Sequence, residues 1–223
     1  MTKTFEKQYI KHFKYRKKFG DTKLSVVRNS SWGDDPTRLL FEMSRYKFVA
    51  KILSGKKNVL EVGCGDAFYS RIILQEINNL CAIDIDKSFI DEAKQNMHPK
   101  WKFQCIQHDI LKSKLMKKFD AAFSLDVIEH IPKKYENKFV LNIIKSLNKN
   151  GSLIIGTPSK ESQKYASKLS KIGHVNCKTS KELKILLSKY FHNVFLFSMN
   201  DEVLHTGYKP MSHYLFALCA NIK

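Results

Sequence analysis

An apolar run that stops abruptly at two glycines, Val59-Leu60-Glu61-Val62-Gly63-Cys64-Gly65-Asp66-Ala67, constrains the fold of this chain more than any other feature. A strand that enters a glycine turn and leaves it as a helix begins an α/β unit. Glycine accepts backbone angles that side chains resist, and it leaves space for a ligand against the main chain. From residue 58 onward, short apolar runs alternate with helical spacing. The pattern predicts strands at 58–62, 80–84, 102–107, 120–125, 152–157, 193–198 and 213–219. Helices are expected at about 66–76, 87–97, 133–148 and 179–190. Pro132 suits the start of the third helix, and Asn150-Gly151 suits the turn that ends it. Thr179 or Ser180 can cap the fourth. Strand, helix, strand, helix is the signature of a parallel sheet covered on both faces.

Ahead of the first strand, residues 1–20 read as a basic helix carrying aromatics, and Ser30-Ser31-Trp32-Gly33-Asp34-Asp35-Pro36 reads as a turn. Residues 37–53 space Leu39, Leu40, Met43, Tyr46, Phe48, Val49 and Ile52 at helical steps. The expected organisation is a helical lid segment over 1–53 and one compact ligand-binding domain over 54–223.

With 223 residues and 43% hydrophobic content, one core is enough. No stretch approaches the roughly 20 apolar residues of a membrane span, and the N-terminus has no apolar core of a secretory signal. The five cysteines (Cys64, Cys81, Cys105, Cys177, Cys219) are scattered without CxxC spacing, as expected of reduced thiols in a cytoplasmic protein. The formal net charge is +18, but only five of the 39 basic residues are arginine (Arg16, Arg28, Arg38, Arg45, Arg71). Phosphate and base recognition favours the arginine fork. A nucleic-acid partner is therefore not favoured over a lysine-rich solvated surface.

A dinucleotide-binding turn wants a third glycine at position 68, where this chain has Phe68, and no pyrophosphate wants the acid Glu61 beside it. A cationic ligand tolerates that acid. Asp84, in Ala82-Ile83-Asp84-Ile85-Asp86, lies about 20 residues past the turn, where a carboxylate accepts hydrogen bonds from a ribose diol. Asp109, in Gln107-His108-Asp109-Ile110, can accept from an adenine amino group, and Phe123-Ser124-Leu125-Asp126 closes the fourth strand.

Taken in order, EVGCGDA, AIDID, QHDI and FDAAFSLDVIEHIP, followed by NKNGSLIIGTPS, resemble the successive motifs of class I S-adenosylmethionine-dependent methyltransferases over residues 58–159. The last two strands extend the likeness to residue 220, and the ubiquinone-pathway O-methyltransferase group is similar. The resemblance implies a doubly wound, seven-stranded, mostly parallel Rossmann-like sheet with the last strand antiparallel. It implies S-adenosylmethionine as cofactor and S-adenosylhomocysteine as product. Glu61, Gly63 and Gly65 would shape the methionine pocket, Asp84 would hold the ribose and Asp109 the adenine, with Ile85, Ile110 and Leu125 beside them. Ala67 stands where many relatives have glycine, a departure that alanine at a helix start would tolerate.

Methyl transfer is an in-line displacement that needs alignment and, for many acceptors, removal of a proton. Asp126, Glu129 and His130 share one face if the turn after the fourth strand is helical. His130 is the best base near neutral pH, with Asp126 and His213 as further catalytic candidates. The alternative is a divalent metal on Asp126, Glu129, His130 and His174, since the ubiquinone-pathway and small-RNA 3′-end methyltransferases are similar in this acid-x-x-Glu-His stretch. A cofactor-side structural role for the same residues also stays open. Antiparallel return of the last strand would hang the loop at 199–214 over the site, with Asn200, His205 and Tyr208 as acceptor contacts. Trp32, Arg38, Arg45 and Tyr46 are the candidates from the lid. The acceptor expected is a small molecule or a sugar or glycan, with RNA as the alternative.

Overall fold

The computed structural model describes residues 6–223; residues 1–5 of the expected basic helix lie outside the described residues. Strands β1 (Asn58–Val62), β2 (Asn79–Asp84), β3 (Gln104–Gln107), β4 (Phe119–Leu125), β5 (Leu147–Pro158), β6 (Phe191–Asn200), β7 (Val203–His205) and β8 (Tyr214–Ile222) form one sheet in the order β3-β2-β1-β4-β5-β8-β6-β7. The neighbours from β3 across to β5 pair parallel, and β8 pairs antiparallel with both β5 and β6. The order reverses direction at β1/β4, which opens a crevice at the carboxyl ends of those strands.

Among the described residues, three α-helices precede the sheet: α1 (Ile10–Phe19), α2 (Val26–Asp34) and α3 (Pro36–Ile52). Between and after the strands lie α4 (Ser70–Ile73), α5 (Lys87–Gln95), α6 (Glu136–Lys145), α7 (Lys168–Gly173) and α8 (Ser180–Ser188). Alternation along the strands splits the core into two faces. Leu60, Val62 and Ala122 face the cluster under α6 and α8, with Phe139, Ile143, Leu183 and Leu187. Val59, Ala121 and Phe123 face the cluster under α3 and α4, with Leu39, Tyr46, Val49, Leu53 and Ile73. α8 begins with a full capping box: the Thr179 hydroxyl accepts from Glu182 N–H, and the Glu182 carboxylate accepts from Thr179 N–H.

Four expectations need correction. The sheet has eight strands, not seven, because β7 pairs back on β6 within the loop expected to be irregular. The helix expected at 66–76 shrinks to the single turn α4, since Ala67 takes a left-handed angle (φ 52°) that no α-helix contains. The helix expected at 133–148 opens as a 3-10 turn, Lys133–Tyr135, and ends at Lys145. β5 already pairs at Leu147 with Phe119, then loops out over Asn148–Gly151 and resumes at Ser152 with Ala121. The 30–36 turn is mostly helix: the Ser30 and Ser31 hydroxyls donate back to the Val27 carbonyl, a bond that lets serine sit inside α2.

Candidate functional site

The crevice is built on the bend after β1. Gly63 sits at φ 77°, and a Cβ there would come within 2.2 Å of a Val127 methyl, so the bend closes against the loop after β4 only with glycine. Gly63 N–H and Cys64 N–H both donate to the Ile83 carbonyl (2.8 and 3.0 Å), which ties the bend to β2. Gly65 N–H donates to Asp84 Oδ2 (2.8 Å), while Asp84 Oδ1 accepts from Asp86 N–H (2.9 Å). The Asp84 carboxylate is thus aimed at the bend from the next strand. Asp109 Oδ1 accepts from Leu111 N–H (2.9 Å), and Asp109 borders a smaller cavity of about 260 Å³ with Ile85 and Gln107. Ile85 is exposed there, whereas Ile110 packs into the main core.

A cleft of about 370 Å³ joins Gly63, Gly65, Leu125 and Asp126 to residues from the N-terminal helices. Among these, Arg38, Arg45 and Tyr46 are the anticipated ones, while Arg28, Glu42 and Tyr69 were not anticipated. The signal for Glu42 was available, since it follows Arg38 by four residues on one helix and the two pair at 2.9 Å. Arg28 stacks on the Tyr69 ring, 4.7 Å from its centre, and meets Glu42 only at 3.5 Å. No local pattern marks that arrangement, because α2 and the turn at Tyr69 meet only in three dimensions. Trp32 is 61% exposed and is not part of the cleft.

Glu61 lies beneath the cleft, fully buried, on the same face as Val59. Its two oxygens accept from the Tyr46 hydroxyl (2.7 Å) and the Ser70 hydroxyl (2.6 Å). Burial pushes its carboxyl up to about 7 despite those bonds. Glu61 therefore reaches the cleft through Tyr46. Asp126, also left-handed (φ 56°), is held by Arg45, whose Nη1 lies 3.1 Å from both carboxylate oxygens. The Arg45 guanidinium stacks 4.0 Å from the centre of the Tyr214 ring. Burial works against the Arg45 charge, but Asp126, Tyr214 and Glu42 together outweigh it and the net shift is upward.

Opposite Arg45, the chain brings together Glu129, His130 and His174, whose ligand-type atoms all lie within 4.8 Å of one another. Asp126 is not part of that cluster. Glu129 Oε2 accepts from the Thr157 hydroxyl (2.9 Å), while buried Oε1 has no partner. Burial, then the Asp126 charge, raises its carboxyl to about 8. His130 Nδ1 lies 2.9 Å from the Gly173 carbonyl, an obligate acceptor, so Nδ1 carries the proton and Nε2 keeps its lone pair in the neutral ring. His174 Nδ1 pairs with Gln163 Oε1 (2.7 Å), and burial followed by the neighbouring His130 lowers its pKa.

Asn200 and His213 sit farther out, bordering a cavity of about 890 Å³ that shares Pro158 and His174 with the cleft. His205 Nε2 meets Asn200 Oδ1 (2.9 Å), and His213 approaches Asp201 at 3.7 Å. Tyr208 is 72% exposed. The loop at 199–214 thus lies at the mouth of the crevice, with His213 apart from the Glu129–His130–His174 cluster.

Among buried polar side-chain atoms without a hydrogen-bond partner, Arg45 Nε, Tyr69 Oη and Glu129 Oε1 belong to residues of this one cleft, and Arg28 Nε and Glu42 Oε2 there meet only each other, as an ion pair at 3.5 Å. Buried polar atoms are normally satisfied, so their concentration fits a polar ligand carrying both signs of charge. S-Adenosylmethionine, with an ammonium, a carboxylate and a sulfonium, is such a ligand.

Sheet order, antiparallel β8 and a crevice past the β1 bend define a Rossmann-like methyltransferase fold. N-methyltransferase NodS from Bradyrhizobium japonicum WM9, in complex with S-adenosyl-L-homocysteine, superimposes with a TM-score of 0.65 at 22% identity, over 84% of this chain and 92% of that one. The methyltransferase domain of bacterial CtHen1-C gives 0.67 at 19% identity, over 81% and 98%. Residues 60–155 match the family described as "Methyltransferase domain". Ubiquinone biosynthesis O-methyltransferase from Rickettsia akari is 30% identical over 115 residues, 50% of this chain and 44% of that protein. The Coxiella burnetii enzyme of the same description is 26% identical over 125 residues, 54% and 52%. The chain spans about half the length of these curated relatives. Residues 60–155 thus resemble a methyltransferase domain, and the likeness to the solved structures shows a shared Rossmann-like fold.

Proposed function

We propose that this chain transfers a methyl group from S-adenosylmethionine to a small-molecule acceptor, a sugar or glycan unit included. The observation that carries the reading is the Asp84 carboxylate bonded to Gly65 N–H at the bend, which itself borders a cleft with unpartnered buried polar atoms. The cofactor supplies a methyl group already activated by its positively charged sulfur. Asp84 holds the ribose, Asp109 faces the adenine, and Ile85 and Leu125 flank the nucleoside. Arg28 supplies the cation for the methionine carboxylate, and Glu42 the anion for its ammonium. Tyr46, fixed by Glu61, forms the floor. His130 accepts the acceptor's proton at Nε2, because Nδ1 is committed to the Gly173 carbonyl. Asp126, saturated by Arg45, orients the loop rather than serving as base. Asn200 and His213, which border the outer cavity, line the acceptor's approach, with His205 holding Asn200. α2 and α3 close one side of the cleft through Arg28, Arg38, Glu42, Arg45 and Tyr46.

Calorimetry tests this directly. S-Adenosylhomocysteine should bind, and Asp84→Ala should weaken binding at least tenfold. Equal competition by NADH would overturn the cofactor reading.

One observation favours a second reading of the proton-accepting cluster: Glu129 Oε1 is buried without a partner between two histidines whose Nδ1 atoms are both engaged by oxygens. Such engagement orients Nε2 lone pairs toward a metal. Glu129, His130 and His174 would then hold a divalent cation that polarises the acceptor oxygen, without Asp126. Dialysis against a chelator followed by magnesium or zinc titration separates the readings. Unchanged turnover supports the direct base, and metal-restored turnover supports the cation. The RNA alternative has no observation of its own.

A further inference from the structure

Beside the cleft, and separated from it by His174, lies a second cavity of about 520 Å³ that no step above uses. Its wall contains Lys178, which is only 4% exposed. Lysine is almost never buried so fully without a reason. The Lys178 ammonium donates to Glu136 Oε2 and, at 2.6 Å, to Asn176 Oδ1. An ammonium has three N–H groups, so one remains. A buried ion pair contributes little to stability compared with apolar packing, which makes its presence in a cavity wall informative. Four more lysines line the cavity: Lys160, which pairs with Glu182, and three others. Lys133 opens the 3-10 turn before α6, Lys171 lies on α7, and Lys189 follows α8. Lys171 donates to the Lys164 carbonyl (3.2 Å) and Lys189 to Asn137 Oδ1 (3.3 Å). None of the three has a carboxylate partner among the described residues, whereas the two acids in the wall are taken: Glu136 by Lys178 and Glu182 by Lys160. The cavity therefore presents surplus positive charge from three separate places in the chain, within a concave surface that focuses it.

We infer that this cavity binds an anionic group, phosphate or carboxylate, carried by the methyl acceptor. This rests on the methyltransferase reading and names a property of its acceptor. His174 borders both spaces, so an acceptor could place its charged end among the lysines and its nucleophile at His130. Charge-assisted hydrogen bonds from lysine to an oxyanion fix one end of a small molecule and leave the other free to align.

The test uses the full chain, with pyrophosphate and malonate as separate calorimetric probes of the anion and S-adenosylhomocysteine as control. The triple variant Lys133→Gln/Lys171→Gln/Lys189→Gln changes only lysines without acidic partners and should fold. Lys178→Met is a second variant, scored only if its melting curve remains cooperative. The inference predicts that at least one probe binds the parent chain and loses tenfold or more in the triple variant. S-Adenosylhomocysteine affinity should stay within twofold. A loss confined to pyrophosphate assigns a phosphate, and a loss confined to malonate assigns a carboxylate. Neither anion binding, or both binding the triple variant as well as the parent, would overturn the inference while leaving the cofactor reading intact. Failure of S-adenosylhomocysteine to bind the parent chain would instead overturn the function on which it rests.

Discussion

Ala67 occupies backbone space that suits glycine, at φ 52°. A non-glycine residue there costs about 1–2 kcal/mol, of which glycine's extra freedom in the unfolded chain takes back about 0.5–1. Ala67→Gly should therefore stabilise the protein by about 0.5–1 kcal/mol, read as a higher denaturant midpoint at unchanged slope. Gly63→Ala should do the reverse. Its Cβ collides with Val127 in a left-handed position, so a large fall in melting temperature is expected together with weaker S-adenosylhomocysteine binding. Adding Val127→Ala should restore part of the loss, since it removes the collision but not the strain. Glu61 gives a pH signature. Its folded pKa of about 7 lies above that of an unfolded glutamate, so the native state keeps a proton that the unfolded chain releases. Stability is then highest below about pH 4.5 for this group and falls as pH rises toward 7, by at most about 3 kcal/mol. Melting curves from pH 5 to 8 should flatten in Glu61→Gln, although Glu129 shares the sign and leaves a residual slope.

At the scale of elements, strands were easier to read than helices. β1, β2 and β4 stand out because apolar runs buried on both faces end in Gly63, Asp84 and Asp126, residues that break the run. α4 was overestimated because the left-handed Ala67 cannot be seen in composition. α2 was missed because serine and glycine suggest turns, while hydroxyl bonds to the Val27 carbonyl allow a helix. The helical segment ahead of β1 was expected as a lid, yet it divides into two unlike parts. α1 buries no residue, whereas α3 contributes Leu39, Tyr46, Val49 and Ala50 to the core. Deleting residues 1–20 should leave a cooperative melt. Deleting 1–53 should abolish it, because several large side chains, each worth roughly 1.5–3 kcal/mol of burial, would vanish from one face of the sheet. Circular dichroism melts of both truncations decide this.

Across the whole molecule, the cofactor side was legible because its residues cluster at strand ends in local motifs: Gly63, Gly65, Asp84 and Asp109 each follow a recognisable apolar run. The partners that complete the cleft were less so. Arg28, Glu42 and Tyr69 are brought together only by the docking of α2 and α3 on the sheet, and nothing local in the chain encodes that distance. His174, by contrast, is a candidate ligand already from the sequence, and the structure brings it to Glu129 and His130 from across α6, β5 and α7. Net charge was a poor guide to a partner, as most lysines are spread over the surface, whereas the buried Lys178 and the few lysines around it carry the local argument.

The stack of Tyr214, Arg45 and Asp126 joins a residue near the start of the chain, one near its middle and one in its final strand. A ribosome-bound chain that has not yet released its last strand lacks the aromatic platform on which that arginine rests. Because β8 lies between β5 and β6 and gives Leu215, Ala217 and Cys219 to one hydrophobic layer and Tyr214 and Phe216 to the other, a chain cut before Tyr214 should lose the platform and cooperative melting together.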